Sequence, residues 1–288
     1  MQCLQTINIE TKKGRLNVPC GTCHNCKIKR RRDWTFRLYE EFKSSSSAMF
    51  LTMTYEDSNL LYADETPIIY KPHLQTFLKD LRNNQKKEYK RLNPDLNVRQ
   101  IAQKVPKIRY YACGEYGDQT QRPHYHMILY NLLPSLKEKL PDIWRLGHID
   151  IGGCNMKTIA YTTKYILKQQ HEAESESQQN FKPFSLMSKG MGKGYLQNAE
   201  YHKTNKTFTV RNGNGDNQTM PRYLKDKIFT TREKEKVNDI MLEKVYKIED
   251  EQNREIATHG DDPEKIRFLQ LQNHIRKIDK DKKKNTKL

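Results

Sequence analysis

The chain has 288 residues, and its 52 lysines and arginines against 35 aspartates and glutamates leave a formal net charge of +17. Only 35% of the residues are apolar, no apolar run approaches the ~20 residues of a membrane span, and the N-terminus lacks the basic-then-apolar pattern of a secretory signal. These properties argue against a membrane-spanning protein, predict an intracellular one, and favour nucleic acid over a membrane surface as the partner that neutralises the charge.

The N-terminal 33 residues are rich in cysteine. Cys20, Cys23 and Cys26 fall within seven residues, which is too clustered for a disulfide framework and suits a metal site. Cys3 or His24 can complete a tetrahedral zinc site, and Cys3 is preferred because His24 lies between two of the ligands. Free structural thiols, an iron–sulfur cluster and a redox pair are the alternatives. We predict a structural Zn²⁺ module.

A basic run closes this segment and begins a predicted helix, because Trp34 and Leu38 continue it at helical spacing. A charge run is usually a solvated helix face. Beside a cysteine module in a strongly basic chain, contact with DNA phosphates is favoured instead. The residues expected to make this contact are Arg30, Arg31 and Arg32.

Strand and helix patterns alternate between residues 34 and 170. Apolar or alternating runs of strand length predict strands, and an amphipathic stripe predicts a helix that begins near Pro72. The predicted strands cover residues 49–55, 108–113 and 123–130, and two further predicted helices cover 134–144 and 156–168. This order predicts an α+β fold with a central antiparallel sheet and flanking helices.

Two histidines occupy alternate positions of the strand predicted over residues 123–130. Side chains two apart on a strand share a face, so His124 and His126 can bind one metal ion. Glu115, at the end of the preceding strand, can supply an oxygen ligand and leave positions open for phosphate and water. Two histidines merely tolerated on a half-exposed strand are the alternative. The aligned glutamate favours metal-assisted phosphoryl transfer.

Two tyrosines and two lysines share one stripe of the helix predicted over residues 156–168. They are Tyr161, Lys164, Tyr165 and Lys168. A phenol with its usual pKa of about 10 is a poor nucleophile, but a nearby lysine or a metal-polarised phosphate makes attack feasible. Ordinary amphipathic packing, with lysine stems reaching outward, is the alternative. The histidine strand and the net charge favour catalysis.

The chain becomes polar after residue 170. Glycines interrupt residues 171–228, which predicts a loop-rich extension, and residues 229–288 place sparse apolar residues among charges, which predicts an exposed helix with a basic tail. The predicted organisation is therefore a cysteine-rich module over 1–33, a core domain over 34–170, and these two extensions.

Three segments resemble, in order, the motifs of the rolling-circle replication initiators called HUH endonucleases. They read Phe-Leu-Thr-Met-Thr-Tyr at 50–55, Pro-His-Tyr-His at 123–126 and Tyr-Thr-Thr-Lys-Tyr at 161–165. The Cys-Gly-Thr-Cys-His-Asn-Cys segment at 20–26 resembles the replication initiators of gokushovirus-type microviruses, small phages with circular single-stranded DNA. The resemblance covers roughly residues 18–170.

The resemblance implies a fold and a metal site. The fold would be a central antiparallel sheet of the RRM or ferredoxin-like kind. His124 and His126 would bind Mg²⁺ or Mn²⁺, with Glu115 as the third ligand. Arg122, at the entry to the histidine motif, is expected to contact DNA.

The resemblance also implies a reaction. Tyr161 and Tyr165 would be paired nucleophiles that alternate between cleavage and strand transfer, assisted by Lys164 and Lys168. The enzyme would nick an origin in single-stranded phage DNA, hold a 5′-phosphotyrosine link, leave a 3′-hydroxyl for host polymerase, and later rejoin the strand. It would act in the cytoplasm of the bacterial host, with a host helicase as a further partner and no membrane contact.

Other functions remain open at this point. A transposase or plasmid relaxase would share the order of the motifs and differ in substrate. A zinc-dependent nucleic-acid-binding regulator would bind without cutting. A nuclease that activates water would cut without retaining DNA on the protein.

Overall fold

The N-terminal part of the protein is a hairpin followed by a long helix. The structure, a computed structural model, describes residues 3, 5–11, 14–117, 119–165 and 181–258, with scattered positions between 262 and 276. Strands β1 (Thr6–Thr11) and β2 (Gly14–Pro19) pair antiparallel, and helix α1 (His24–Ser44) begins directly after Cys23. Helix α1 continues without a break past residue 33, so the cysteine-rich segment and the core share one helix.

A five-stranded antiparallel sheet forms the centre of the molecule. Its strands lie in the order β8-β3-β7-β6-β9, and each neighbouring pair is antiparallel. The strands after β2 are β3 (Ala48–Thr54), the short β4 (Tyr62–Ala63) and β5 (Thr66–Pro67), β6 (Arg109–Tyr116), β7 (Pro123–Tyr130), β8 (Ile149–Gly153) and β9 (Phe184–Met187). The predicted α+β class with a central antiparallel sheet is confirmed.

Helices flank this sheet, and a small hairpin follows it in the chain. The helices after α1 are α2 (Lys71–Leu92), α3 (Val98–Lys104), α4 (Leu140–Trp144), α5 (Met156–Thr162), α6 (Ala199–Thr204), α7 (Arg222–Ile228) and α8 (Thr231–Thr258), and the hairpin is β10 (Thr209–Arg211) with β11 (Asn217–Thr219). No helix among the described residues combines the length and apolar character needed to cross a membrane.

Two predicted helices differ from the structure. The helix predicted over 134–144 is a 3₁₀ turn, Pro134–Leu136, followed by the short α4. Pro141 has no N–H to continue a longer helix, and Arg145 ends α4 in the left-handed region at φ 55°. The helix predicted over 156–168 ends at Thr162, where the hydroxyls of Thr162 and Thr163 bond back to main-chain carbonyl oxygens. Residues 166–168 lie outside the described part of the chain.

The two faces of the sheet carry different layers. On one face, alternate residues such as Leu51 and Met127 pack in a core that includes α2 and α4. On the other face, Ile128 packs with Leu38 of α1 and Ile159 of α5. Side chains alternate along β7, so the histidine pair faces the α1 and α5 layer.

A third cluster attaches the C-terminal half to α1. Phe36 of α1 packs with Phe208, Met220 and Leu224, and Val237 at the start of α8 is buried against the same group. Most of the remaining α8 side chains are exposed. The β10–β11 hairpin is thereby held beside α1.

Candidate functional site

The pairing of β6 with β7 brings together three groups that can bind a metal. Glu115 lies opposite His124 in the register of the two strands, and His126 follows on the same face. Glu115 Oε1 is 2.9 Å from His124 Nε2 and 3.3 Å from His126 Nε2. The three ligand atoms all lie within 4.8 Å of one another.

The buried Glu115 carboxylate fits a divalent cation. Its side chain is only 8% exposed, and its Oε2 has no hydrogen-bond partner among the described residues. Burial raises the pKa of Glu115, but hydrogen bonds and charge from His124 and His126 outweigh this and lower it to about 2. An ionised, buried oxygen without a partner is costly unless a cation or donor compensates it, and one oxygen with two imidazoles suits a first-row divalent metal or Mg²⁺.

Main-chain and hydroxyl groups orient the two imidazoles. His124 Nδ1 lies 3.2 Å from the carbonyl oxygen of Arg122, which can only accept, so Nδ1 carries a proton and Nε2 is left to act as the ligand. His126 Nδ1 lies 3.2 Å from the hydroxyl of Thr52 on β3. Sequence reasoning missed Thr52, since its contact depends on the register of β3 against β7.

The two tyrosines lie beside His126 but in different environments. Tyr161, at the end of α5, is 43% exposed, and its ring is edge-on to His126 at 5.7 Å. Tyr165 is only 4% exposed and stacks face to face on His126, with ring centroids 4.7 Å apart. Burial raises the pKa of Tyr165, and the hydrogen bond to Tyr161 and the charge of Glu115 raise it further. Tyr161 is therefore the accessible phenol.

Helix α5 is held against α1 by polar contacts near these tyrosines. Thr163 Oγ1 lies 2.8 Å from Thr35 Oγ1, and Arg31 Nη2 donates to the carbonyl oxygen of Ala160 at 3.2 Å. Both threonines were missed from the sequence. Lys164 is exposed at the turn after α5, and Lys168, predicted to assist the tyrosines, lies outside the described residues.

The predicted DNA-contacting arginines divide into two groups. Arg30 and Arg32 are exposed on α1, whereas Arg31 is half-buried. Arg122 forms an ion pair with Asp57 and donates from Nη2 to the carbonyl oxygen of Tyr55 at 2.9 Å. Arg122 thus joins the loop after β3 to the entry of β7.

Four cysteine thiols meet at the start of α1. Sγ of Cys3 is 3.5 Å from that of Cys20 and 3.8 Å from that of Cys23, and Cys20 is 4.0 Å from Cys26. Four sulfurs around a tetrahedral Zn²⁺, with Zn–S bonds of about 2.3 Å, lie about 3.8 Å apart. Hydrogen bonds from the Thr22 side chain and the Cys23 main chain lower the pKa of Cys20 to about 6, which favours the thiolate. The arrangement fits a four-thiolate metal site.

Comparison with known proteins identifies related sequences. Residues 48–170 match the family model described as Replication-associated protein ORF2. Over 228 residues the chain is 28% identical to Replication-associated protein VP4 of Bdellovibrio phage phiMH2K, a match that covers 72% of this chain and 66% of that protein. Over 202 residues it is 30% identical to Replication-associated protein ORF2 of Spiroplasma virus 4, covering 64% and 58%. Both matches span less than two thirds of the relative's length.

One solved structure aligns weakly. The N-terminal nuclease domain of the minute virus of mice non-structural protein 1 aligns with 58% of this chain and 81% of that chain, at 9% identity and a TM-score of 0.18. So low a score carries no argument about fold or function.

Proposed function

Since residues 48–170 match the family of replication-associated proteins, we propose that the protein cuts and rejoins one DNA strand at a phage replication origin through its tyrosines. The family match and the phage relatives confirm the predicted resemblance to phage replication initiators. The observation that carries the proposal is the stacking of Tyr165 and the edge contact of Tyr161 on His126, a member of the metal-binding group.

The proposed roles follow from exposure and contacts. Glu115, His124 and His126 hold Mg²⁺ or Mn²⁺, which when bound would polarise the scissile phosphate. The exposed Tyr161 oxygen attacks phosphorus and gives up its proton, the bond to the 3′-oxygen breaks, and the 3′-oxygen gains a proton. The products are a 5′-phosphotyrosine and a free 3′-hydroxyl. Host polymerase as the user of that hydroxyl, and a host helicase as a partner, remain predictions.

The structure favours Tyr161 as the first nucleophile. Deprotonation of Tyr165 is disfavoured by burial and by the nearby Glu115 carboxylate, whereas Tyr161 is open to a DNA strand. Tyr165 donates a hydrogen bond to the Tyr161 oxygen in this arrangement and takes the later rejoining step. Lys164, exposed beside both tyrosines, contacts the strand phosphates.

The test is a covalent-adduct assay. The protein is incubated with labelled single-stranded circular phage DNA and Mn²⁺, denatured, and examined for DNA that stays bound to protein. Wild type is expected to form the adduct, Tyr161→Phe and His124→Ala to lose it, and Tyr165→Phe to retain the first cut. Tyr201→Phe, 61% exposed on α6, is the matched control and should behave as wild type.

Three outcomes would overturn the mechanism. An adduct that persists in the Tyr161→Phe/Tyr165→Phe double variant would mean that another residue attacks. Cutting without any adduct would indicate a nuclease that activates water. Binding with neither cutting nor adduct would favour a non-catalytic regulator.

We further propose that Cys3, Cys20, Cys23 and Cys26 bind one structural Zn²⁺. Their sulfur separations match a tetrahedral site, and they lie at the N-terminus of α1 rather than beside the tyrosines. This metal would hold the start of α1, and the exposed Arg30 and Arg32 that follow, in place for phosphate contact.

A further inference from the structure

A groove lies between α1, α5 and the β10–β11 hairpin, next to the segment that carries Tyr161. Its volume is about 330 Å³, at the lower end of the ~300–1,000 Å³ range of sites for small ligands. The hairpin contributes Asn212, Gly213 and Asn214, and α5 contributes Met156, Lys157 and Ala160. Ala160 is adjacent to Tyr161, so the groove and the candidate active site share α5.

The groove is basic. Arg31, Arg32 and Lys157 line it, and no acidic side chain is among the described residues that do so. Arg31 is turned toward α5 by its bond to the Ala160 carbonyl oxygen. Arg32 and Lys157 are exposed. These two exposed cations on opposite walls suit an anion that lies between α1 and α5.

One wall carries a buried amide without a partner. Gln218 of β11 is 8% exposed and lines the groove, and its Nε2 has no hydrogen-bond partner within the described part of the chain. A buried N–H without an acceptor is costly, and a ligand that supplies an acceptor removes that cost.

The rest of the lining is apolar and aromatic. Ile28, Phe36, Tyr39 and Met156 contribute to it. A free phosphate ion would use the cations and leave these surfaces without a contact. A nucleotide offers a phosphate, a flat base for the apolar and aromatic surface, and acceptors along the base edge.

We propose that this groove binds one nucleotide of the DNA strand next to the cleavage site, with the phosphate against Arg32 and Lys157 and the base edge against Gln218. This inference rests on the proposed function for the identity of the strand. It assigns to the β10–β11 hairpin, which lies outside residues 48–170, a share in the choice of DNA sequence.

The test measures the binding of fluorescein-labelled single-stranded oligonucleotides to the full chain by fluorescence anisotropy. Arg32→Ala is expected to weaken binding about tenfold and to make the dependence of log Kd on log salt shallower by about 0.7, the contribution of one phosphate contact on a single strand. Arg99→Ala, which removes an exposed arginine from α3, is the matched control.

Gln218→Leu separates a ligand role from a structural one. Since it removes an unpaired buried N–H, it is expected to unfold at the same or a higher temperature than wild type. Its Kd should nevertheless rise about tenfold, with an unchanged salt slope, for the homopolymer that wild type prefers among oligo-dA, oligo-dC, oligo-dG and oligo-dT. Asn217→Ala, exposed in the same strand, is the control.

The outcomes are distinguishable from those of the adduct assay. If Arg32→Ala matches Arg99→Ala in affinity and slope, or Gln218→Leu keeps wild-type affinity and preference, the groove proposal is wrong even though wild type forms the adduct. If the groove variants weaken binding as expected and wild type forms no adduct, the groove stands and the tyrosine mechanism fails.

Discussion

At the scale of single residues, neighbours decide the chemistry of the site. Glu115 is ionised although buried, because two imidazoles donate to it. Tyr161 and Tyr165, which are four apart in the sequence, differ in exposure by 43% against 4%. Residue types and spacing predicted these candidates, but the sequence contained no signal for Thr52, because its contact with His126 depends on strand register.

Replacing Thr52 by valine tests the orientation of His126. Thr52→Val keeps the shape and removes the hydroxyl that lies 3.2 Å from His126 Nδ1. The loss of a group that orients a ligand imidazole typically weakens metal binding by about 10–100-fold. The Kd for Mn²⁺, measured by titration calorimetry, is therefore expected to rise by about tenfold or more.

Thr54→Val is the matched control for this measurement. Thr54 lies on the same face of β3, opposite His124, and its hydroxyl lies 3.5 Å from the His148 carbonyl oxygen instead of a ligand imidazole. Equal Mn²⁺ affinities in the two variants would show that Thr52 does not orient the site.

At the scale of elements, α1 begins in an unfavourable way for an isolated helix. Its first turn contains no acidic residue, its N-cap Cys23 makes no side-chain capping bond, and basic residues follow at once. Positive charge near a helix N-terminus is destabilising because it opposes the helix dipole. Thiolates gathered around a metal at Cys23 and Cys26 supply the missing negative charge.

Metal removal is therefore expected to destabilise α1. Treatment with a strong chelator, or the substitution Cys26→Ser, should reduce bound zinc, lower helix content by circular dichroism and lower the melting temperature by roughly 10 °C. Cys154→Ser is the control, since Cys154 lies outside the four-thiol group. A protein that holds one zinc per chain after Cys26→Ser would contradict this assignment of the ligands.

At the scale of the whole molecule, a buried ion pair ties the C-terminal half to the sheet. Glu41 of α1, 5% exposed, pairs with Arg109 of β6 and accepts a hydrogen bond from the main-chain N–H of Gly192 at 2.8 Å. Gly192 has φ 73°, and a Cβ there would lie 2.7 Å from the Arg37 carbonyl oxygen. Only glycine permits this close approach to α1.

Breaking this ion pair should cost more than breaking a surface pair. Glu41→Gln leaves Arg109 without its counter-charge and is expected to lower the free energy of unfolding by about 3 kcal/mol. Glu10→Gln removes a partner of the exposed pair with Arg15 and is expected to cost at most about 0.5 kcal/mol. Urea unfolding of both variants measures the difference, and equal costs would mean that the Glu41 pair does not hold the halves together.

The sequence by itself determined the elements and the chemical types of the site. Alternation placed His124 and His126 on one face, and periodicity with turn residues predicted strands 49–55 and 123–130. Such patterns record which face of one element is buried, so they extend no further than that element. They missed the early end of α5 at Thr162, which depends on threonine hydroxyls bonding to the main chain.

Only the tertiary structure decided which elements meet. The β6–β7 register sets Glu115 beside His124, the packing of α5 sets the tyrosines against His126, and the fold of the N-terminal hairpin brings Cys3 to Cys20. The groove is assembled from α1, α5 and the β10–β11 hairpin, segments far apart in the chain. Contacts between elements depend on register and on packing across the core, and no local pattern of residues encodes either.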